Sequence, residues 1–79
     1  MSNFKDFYFS NIGKKVRYYR EKLGYTQEQL SELVGKNDKY IGHIERYERN
    51  ISNRILIKLF EIFKVQPEEF FKFDNKYEF

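Results

Sequence analysis

The functional groups of most interest lie near the middle of the chain. Ile41 and Ile44 are apolar and three residues apart, a spacing that turns both to one side of a helix. Asp38, Lys39, Gly42, His43 and Arg46 then fall on the opposite, outward side, because residues three or four apart share a face. Their chemistry is recognition rather than bond making. A Lys ammonium donates to guanine O6 and N7, and a neutral imidazole donates or accepts at a base edge, so Lys39 and His43 lead as base readers. Asp38 could accept from cytosine N4, pair with a nearby Lys or cap the helix, and capping is the expectation. Gly42 inside a helix costs about 0.5–1 kcal/mol relative to Ala, which slightly favours close approach to a base pair over tolerance on an exposed face.

Around this segment lie groups suited to a sugar-phosphate backbone. Lys36, Tyr40, Arg46, Arg49, Asn50 and Arg54 flank it, and Gln27 opens the preceding helix, where an amide and free backbone N–H groups can hold a phosphate or simply start the helix. Enzymatic chemistry is poorly supplied. His43 is the only His, Cys is absent, and the glycines at 13, 24, 35 and 42 fit no phosphate-binding loop. Adjacent Glu68 and Glu69 diverge on a helix and suit first-turn charges better than an acid/base pair. No metal site, cofactor or enzymatic activity is expected.

The elements that must position these groups follow from periodicity. Ile12, Val16, Tyr19 and Leu23 line one helical face, with Ser10 or Asn11 as the expected cap and Gly24 as the stop. Thr26 followed by Gln29 is a capping-box pattern opening a second helix that buries Leu30, Leu33 and Val34 and ends at Gly35. Asn37 or Asp38 is expected to cap the third helix. Two short helices joined by a tight Gly-containing turn make a helix-turn-helix over about residues 26–46. Ser52 caps a fourth helix carrying Ile55, Leu56, Leu59, Phe60, Ile62 and Phe63, and Pro67 opens a short fifth bearing Phe70 and Phe71. The expectation is an all-α fold of five helices with no strand.

At 79 residues, the chain has room for one core, so residues 1–79 read as a single domain. Its 41% hydrophobic and 34% charged residues fit a globular fold, and its richest apolar stretch, Ile55 to Phe63, is broken by Lys58 and Glu61, well short of a membrane span. No secretory signal is visible, so a cytoplasmic location is expected. Residues 11–58 carry eleven basic and six acidic side chains, whereas 59–79 carry three and five. With an isoelectric point near 9.1, that asymmetry favours a polyanionic partner.

The run from Ile12 to Phe71 resembles the Cro/cI-type helix-turn-helix family, also called the xenobiotic-response-element family. The resemblance rests on the joint register of Arg20, Gly24, Thr26, Gln27 and Leu30, then Gly35, Ile41, Ile44 and Glu45, then Leu56, Lys58, Leu59, Val65 and Pro67. It implies a lambda-repressor-like five-helix bundle whose third helix lies in the major groove of double-stranded DNA. It also implies a structural ion pair between Arg20 and Glu45. Tyr47 departs from the pattern, occupying a position often held by Gly, where a left-handed residue would be strained.

Aromatic residues are 20% of the chain and crowd its ends. Phe7, Phe70 and Phe71 suit the core, while Phe70, Phe73, Tyr77 and Phe79 are candidates for a self-complementary homodimer patch on the fourth and fifth helices. The function implied is a sequence-specific transcriptional repressor or autoregulator on a roughly palindromic operator, without a small-molecule ligand domain. YIGHIERYERN resembles the restriction-modification controller proteins within the family. An alternative is an antitoxin or protein-interaction module whose aromatic ends bind a protein partner.

Overall fold

The computed structural model describes residues 3–73. Five helices follow in order: α1 (Phe4–Lys22), α2 (Gln27–Leu33), α3 (Tyr40–Glu45), α4 (Asn53–Phe63) and α5 (Pro67–Phe70), with no strand among the described residues. Capping explains most boundaries. Thr26 Oγ1 accepts from Gln29 N at 3.0 Å while Gln29 Oε1 accepts from Thr26 N at 2.9 Å, so the expected capping box is formed. Ser52 Oγ accepts from Ile55 N, and Pro67 occupies the opening of α5.

Two starts differ from expectation. The first helix begins well before Ser10, because Asn3 Oδ1 accepts from Asp6 N at 2.8 Å; Asn11 is instead buried and its amide donates to the Phe7 carbonyl. Neither Asn37 nor Asp38 caps α3. Asn37 Oδ1 accepts from Lys39 N, two residues on, closing a turn before the helix and placing Lys39 at the helix boundary.

Four helix ends share one hydrogen-bonded closure. Tyr25 N reaches Arg20 O, Lys36 N reaches Ser31 O, Glu48 N reaches His43 O and Val65 N reaches Phe60 O, each across a left-handed residue: Gly24 at φ 81°, Gly35 at φ 79°, Tyr47 at φ 43° and Lys64 at φ 57°. The first two were expected as stops. Tyr47 and Lys64 adopt the same conformation despite their side chains, which costs about 1–2 kcal/mol each.

The core comprises Ile12, Val16, Leu30, Val34, Tyr40, Ile41, Ile44, Ile55, Leu56, Leu59, Phe63 and Phe70. Leu33, expected inside, is half exposed, whereas Val34 beside it is buried. Gly13 lets α1 and α3 touch: a Cβ there would stand 2.7 Å from the Ile44 carbonyl oxygen and 2.9 Å from that of Glu45. Aromatic rings close the other end. Phe70, at 0% exposure, packs between Tyr19, Phe60 and Phe71, with ring centroids 5.2–6.0 Å away. Its burial removes Phe70 from any dimer surface. Phe73 is half buried against Phe7 and Phe71, and the remaining dimer candidates, Tyr77 and Phe79, lie outside the described residues.

Candidate nucleic-acid interface

The outer side of the α2–α3 corner is a shallow hollow of about 690 Å³ lined by Arg20, Thr26, Gln27, Glu28, Asp38, Lys39, Gly42, His43 and Arg46. Its floor is fixed by polar bonds running between helices. Glu45 projects from the end of α3 and receives Arg20 Nε at 2.5 Å and Arg20 Nη2 at 3.1 Å. Arg20 Nη1 also donates to the Tyr25 carbonyl, so one guanidinium ties α1, the α1–α2 turn and α3 together. The pair is largely buried, with side-chain exposures of 11% and 5%. The bond to Glu45 raises the Arg20 pKa above its ordinary value, against burial that lowers it.

Gln27 completes this clamp. Its Nε2 donates to Glu45 Oε1 at 3.0 Å, so the side chain that was a candidate phosphate ligand is already committed to α3. Gly42 explains how it fits. A Cβ on Gly42 would meet Gln27 Oε1 at 3.1 Å and Arg46 Nη1 at 3.2 Å. Gly42 is buried, not on an exposed face as expected, and its lack of a side chain makes room for the Gln27 amide. A large residue at 42 would therefore disturb the scaffold as well as the surface.

Ser31 secures the other end of α3. Its Oγ donates to the Gln27 carbonyl at 2.8 Å and accepts from Ile41 N at 3.0 Å, satisfying an N–H at the helix start, and the side chain is wholly buried. Lys58 on α4 donates to the Val34 carbonyl at 3.4 Å and so holds the end of α2. Ser31 and Gly13 went unread in the sequence. The only available signal was a small residue at a core-facing helical position.

The remaining candidates divide. Asp38, Lys39, His43 and Arg46 share the hollow; Asp38 is exposed there and makes no cap. Tyr40, expected at the phosphates, is a core residue at 5% exposure, and burial raises its phenol pKa while nearby Arg49 opposes the shift. Its ring is flanked by two candidate backbone cations, Lys36 Nζ at 5.6 Å and Arg49 at 5.7 Å from the centroid. Tyr40 thus packs its enclosed ring against these two cations. Arg49, Asn50 and Arg54 are exposed along the α3–α4 loop and the first turn of α4. Glu48, not singled out in the sequence, bonds both His43 and Arg46, and those bonds hold its carboxyl below the usual range. Among the described residues, no group of three or more His, Cys, Asp or Glu side chains is placed to hold a metal ion, and no helix is long and apolar enough to cross a membrane.

Comparison with known proteins agrees with this architecture. Residues 16–70, more than half of the chain, match the helix-turn-helix family model HTH_3. The control protein C.SmaI of Serratia marcescens is 44% identical over 48 residues, 61% of this chain and 57% of that protein. The crystal structure of the restriction-modification controller protein C.AhdI from Aeromonas hydrophila superposes with a TM-score of 0.72 at 33% identity, covering 80% of this chain and 96% of that one. The structure of C.Esp1396I bound to a 25 base pair operator site superposes with a TM-score of 0.70 at 27% identity, covering 90% of each chain. With its α2–α3 corner, its Arg20–Glu45 clamp and this match, the chain belongs to the helix-turn-helix family of Cro/cI type.

Proposed function

We infer that this protein is a sequence-specific DNA-binding transcriptional regulator that presents α3 to the major groove of operator DNA. The observation that carries this reading is the hollow itself: Lys39, His43 and Arg46 stand outward on a helix whose opposite side is locked to α1 and α2. A recognition helix needs both properties, since base-edge discrimination requires donors held to fractions of an ångström. Asp38, Lys39 and His43 are the proposed base contacts, with Gly42 allowing close packing behind them. Lys36, Arg46, Arg49, Asn50 and Arg54 are the proposed backbone contacts, and Gln27 orients α3 through Glu45.

The likeness to controller proteins supports a role in regulating restriction-modification genes, with the protein working in the cytoplasm as one binding module without catalysis. We propose that it acts as a C2 homodimer on a palindromic site, bringing two α3 helices to half-sites about 34 Å apart. Ile57, an apolar side chain 56% exposed on α4, is a group that such an interface would cover. Selection of bound sequences from a random duplex pool tests the reading directly. A two-fold symmetric motif is expected, with affinity falling as roughly the fourth power of salt concentration or more steeply for at least four phosphate contacts. Binding without sequence preference would overturn it, and sedimentation showing only monomer on and off DNA would overturn the dimer.

A further inference from the structure

Glu48 lies outside the helices, yet two groups facing the hollow end on it. Its Oε1 is 2.9 Å from His43 Nδ1 and its Oε2 is 3.3 Å from Arg46 Nε. The backbone brings it there. Tyr47 turns the chain back over the end of α3, and the Glu48 amide donates to the His43 carbonyl at 2.8 Å. This contact has a consequence for the imidazole. An ionised carboxylate only accepts hydrogen bonds, so His43 Nδ1 must carry the proton, and in the neutral ring Nε2 is then a bare acceptor. Nε2 has no partner among the described residues.

Resting on the reading of α3 as the DNA-reading helix, we propose that Glu48 is a positioning residue for sequence readout: it fixes the Nδ1–H tautomer of His43, so that Nε2 accepts from a base amine. The major groove presents such amines at adenine N6 and cytosine N4, while guanine O6 and N7 and thymine O4 only accept. The neutral tautomer therefore selects adenine or cytosine at one position of each half-site and disfavours guanine and thymine. The same carboxylate engages Arg46 Nε, leaving the terminal nitrogens of that guanidinium for phosphate. A fixed negative charge beside the DNA also weakens attraction for any sequence alike, which raises the premium on the specific bond.

Asp38, Lys39 and Arg46 on the same segment, Glu28 on α2 and Arg20 on α1 are the charged groups lining the hollow around His43. The test is accordingly made at about pH 9, well above the range in which imidazoles in general take up a second proton. Because His43 is the only His in the chain, 15N spectra of imidazole-labelled protein report it without overlap. The wild type is expected to carry its proton on Nδ1. Glu48→Gln, whose amide oxygen still accepts, should keep that tautomer, and Glu48→Ala should move the proton toward Nε2. A wild-type ring protonated on Nε2, or a ring unaffected by Glu48→Ala, overturns the proposal.

Selection from a random duplex pool is the second arm. Wild type and Glu48→Gln should share a preference for adenine or cytosine at one position per half-site, which falls about tenfold in Glu48→Ala while other positions persist. An unaltered preference in Glu48→Ala, or an equal gain in affinity for all sequences in both variants, assigns Glu48 a purely electrostatic role and overturns the proposal. Wild-type protein with no sequence preference removes the DNA-reading assignment and the readout role with it, even if the 15N spectra show the Nδ1–H ring. That combination separates the two failures.

Discussion

The two ends of the domain are held together in opposite ways. At the α2–α3 corner, Arg20, Gln27, Ser31 and Glu45 join three helices through directional hydrogen bonds between about 2.5 and 3.1 Å. At the far end, Tyr19, Phe60, Phe63, Phe70 and Phe71 meet as rings at centroid distances of 5.2–6.0 Å, in stacked and edge-on arrangements. The corner fixes position and the rings supply burial, since ring packing tolerates small shifts that a buried charge pair does not. A protein that reads DNA with one corner gains from concentrating its geometric precision there.

The sharpest way to break this contrast is to damage each end once and attempt a rescue. Phe70→Ala should cost about 3–5 kcal/mol, much of the stability of a small domain, because a fully enclosed ring is replaced by a cavity. Glu45→Ala should cost up to a similar 3–5 kcal/mol by a different route, leaving the largely buried Arg20 guanidinium with only the Tyr25 carbonyl and a Glu21 carboxylate 3.9 Å away. The rescues should diverge. Replacing both members of the pair, as in Arg20→Met with Glu45→Leu, should recover most of the stability in urea unfolding, whereas adding Phe60→Ala to Phe70→Ala should only deepen the loss. The double apolar variant should still bind operator weakly, since Gln27 then has nothing to hold at the end of α3. A stable Glu45→Ala single variant would deny the corner its buried charge pair and end the comparison.

Smaller effects map the contact between helices within the corner. Gly13→Ala should destabilise by about 1–3 kcal/mol, although Ala is the better helix former, because its Cβ would press on two carbonyl oxygens of α3 that cannot move independently. Ser31→Ala should cost about 1–3 kcal/mol by orphaning the buried Ile41 N–H at the start of α3. In thermal unfolding both variants should melt earlier, and hydrogen exchange should open α3 first in Ser31→Ala. Wild-type exchange at Ile41 in that variant would show that Ser31 does not anchor the helix.

Much of the fold could be read from residues acting on their close neighbours along the chain. Thr26 and Gln29, Ser52, Gly24 and Gly35 each set a boundary through bonds spanning a few residues, Pro67 does so through its fixed φ, and the helices they delimit were expected. The early start of α1 escaped notice because an Asn at position 3 sits before an aromatic stretch with no clear period. The start of α3 was misplaced because the Asn37 side chain serves a turn, a choice that propensity cannot distinguish from a cap. At the candidate site, the outward set Lys39, His43 and Arg46 followed from Ile41 and Ile44 alone. Gly42, Tyr40 and Gln27 did not, since their roles depend on side chains from another element: Gln27 arrives over Gly42 from α2, and Tyr40 is covered by the core. Glu48 was invisible for the further reason that only a left-handed Tyr47 folds it back onto His43.

That residue offers the smallest and most specific prediction, one with the opposite sign. Gly24 and Gly35 close α1 and α2 at positive φ without steric cost, whereas Tyr47 closes α3 at φ 43° with a side chain more than half exposed to solvent. Tyr47→Gly should remove about 1–2 kcal/mol of backbone strain and lose part of that, roughly 0.5–1 kcal/mol, to the greater entropy of the unfolded chain. A net stabilisation of up to about 1.5 kcal/mol is expected, read as a higher urea midpoint at unchanged slope. The His43 tautomer should be unaltered, because the Glu48 amide and carboxylate keep their partners. If Tyr47→Gly instead destabilises the domain, the phenol ring must contribute more than its exposure indicates, and the closure of α3 would not be energetically equivalent in kind to those of α1 and α2.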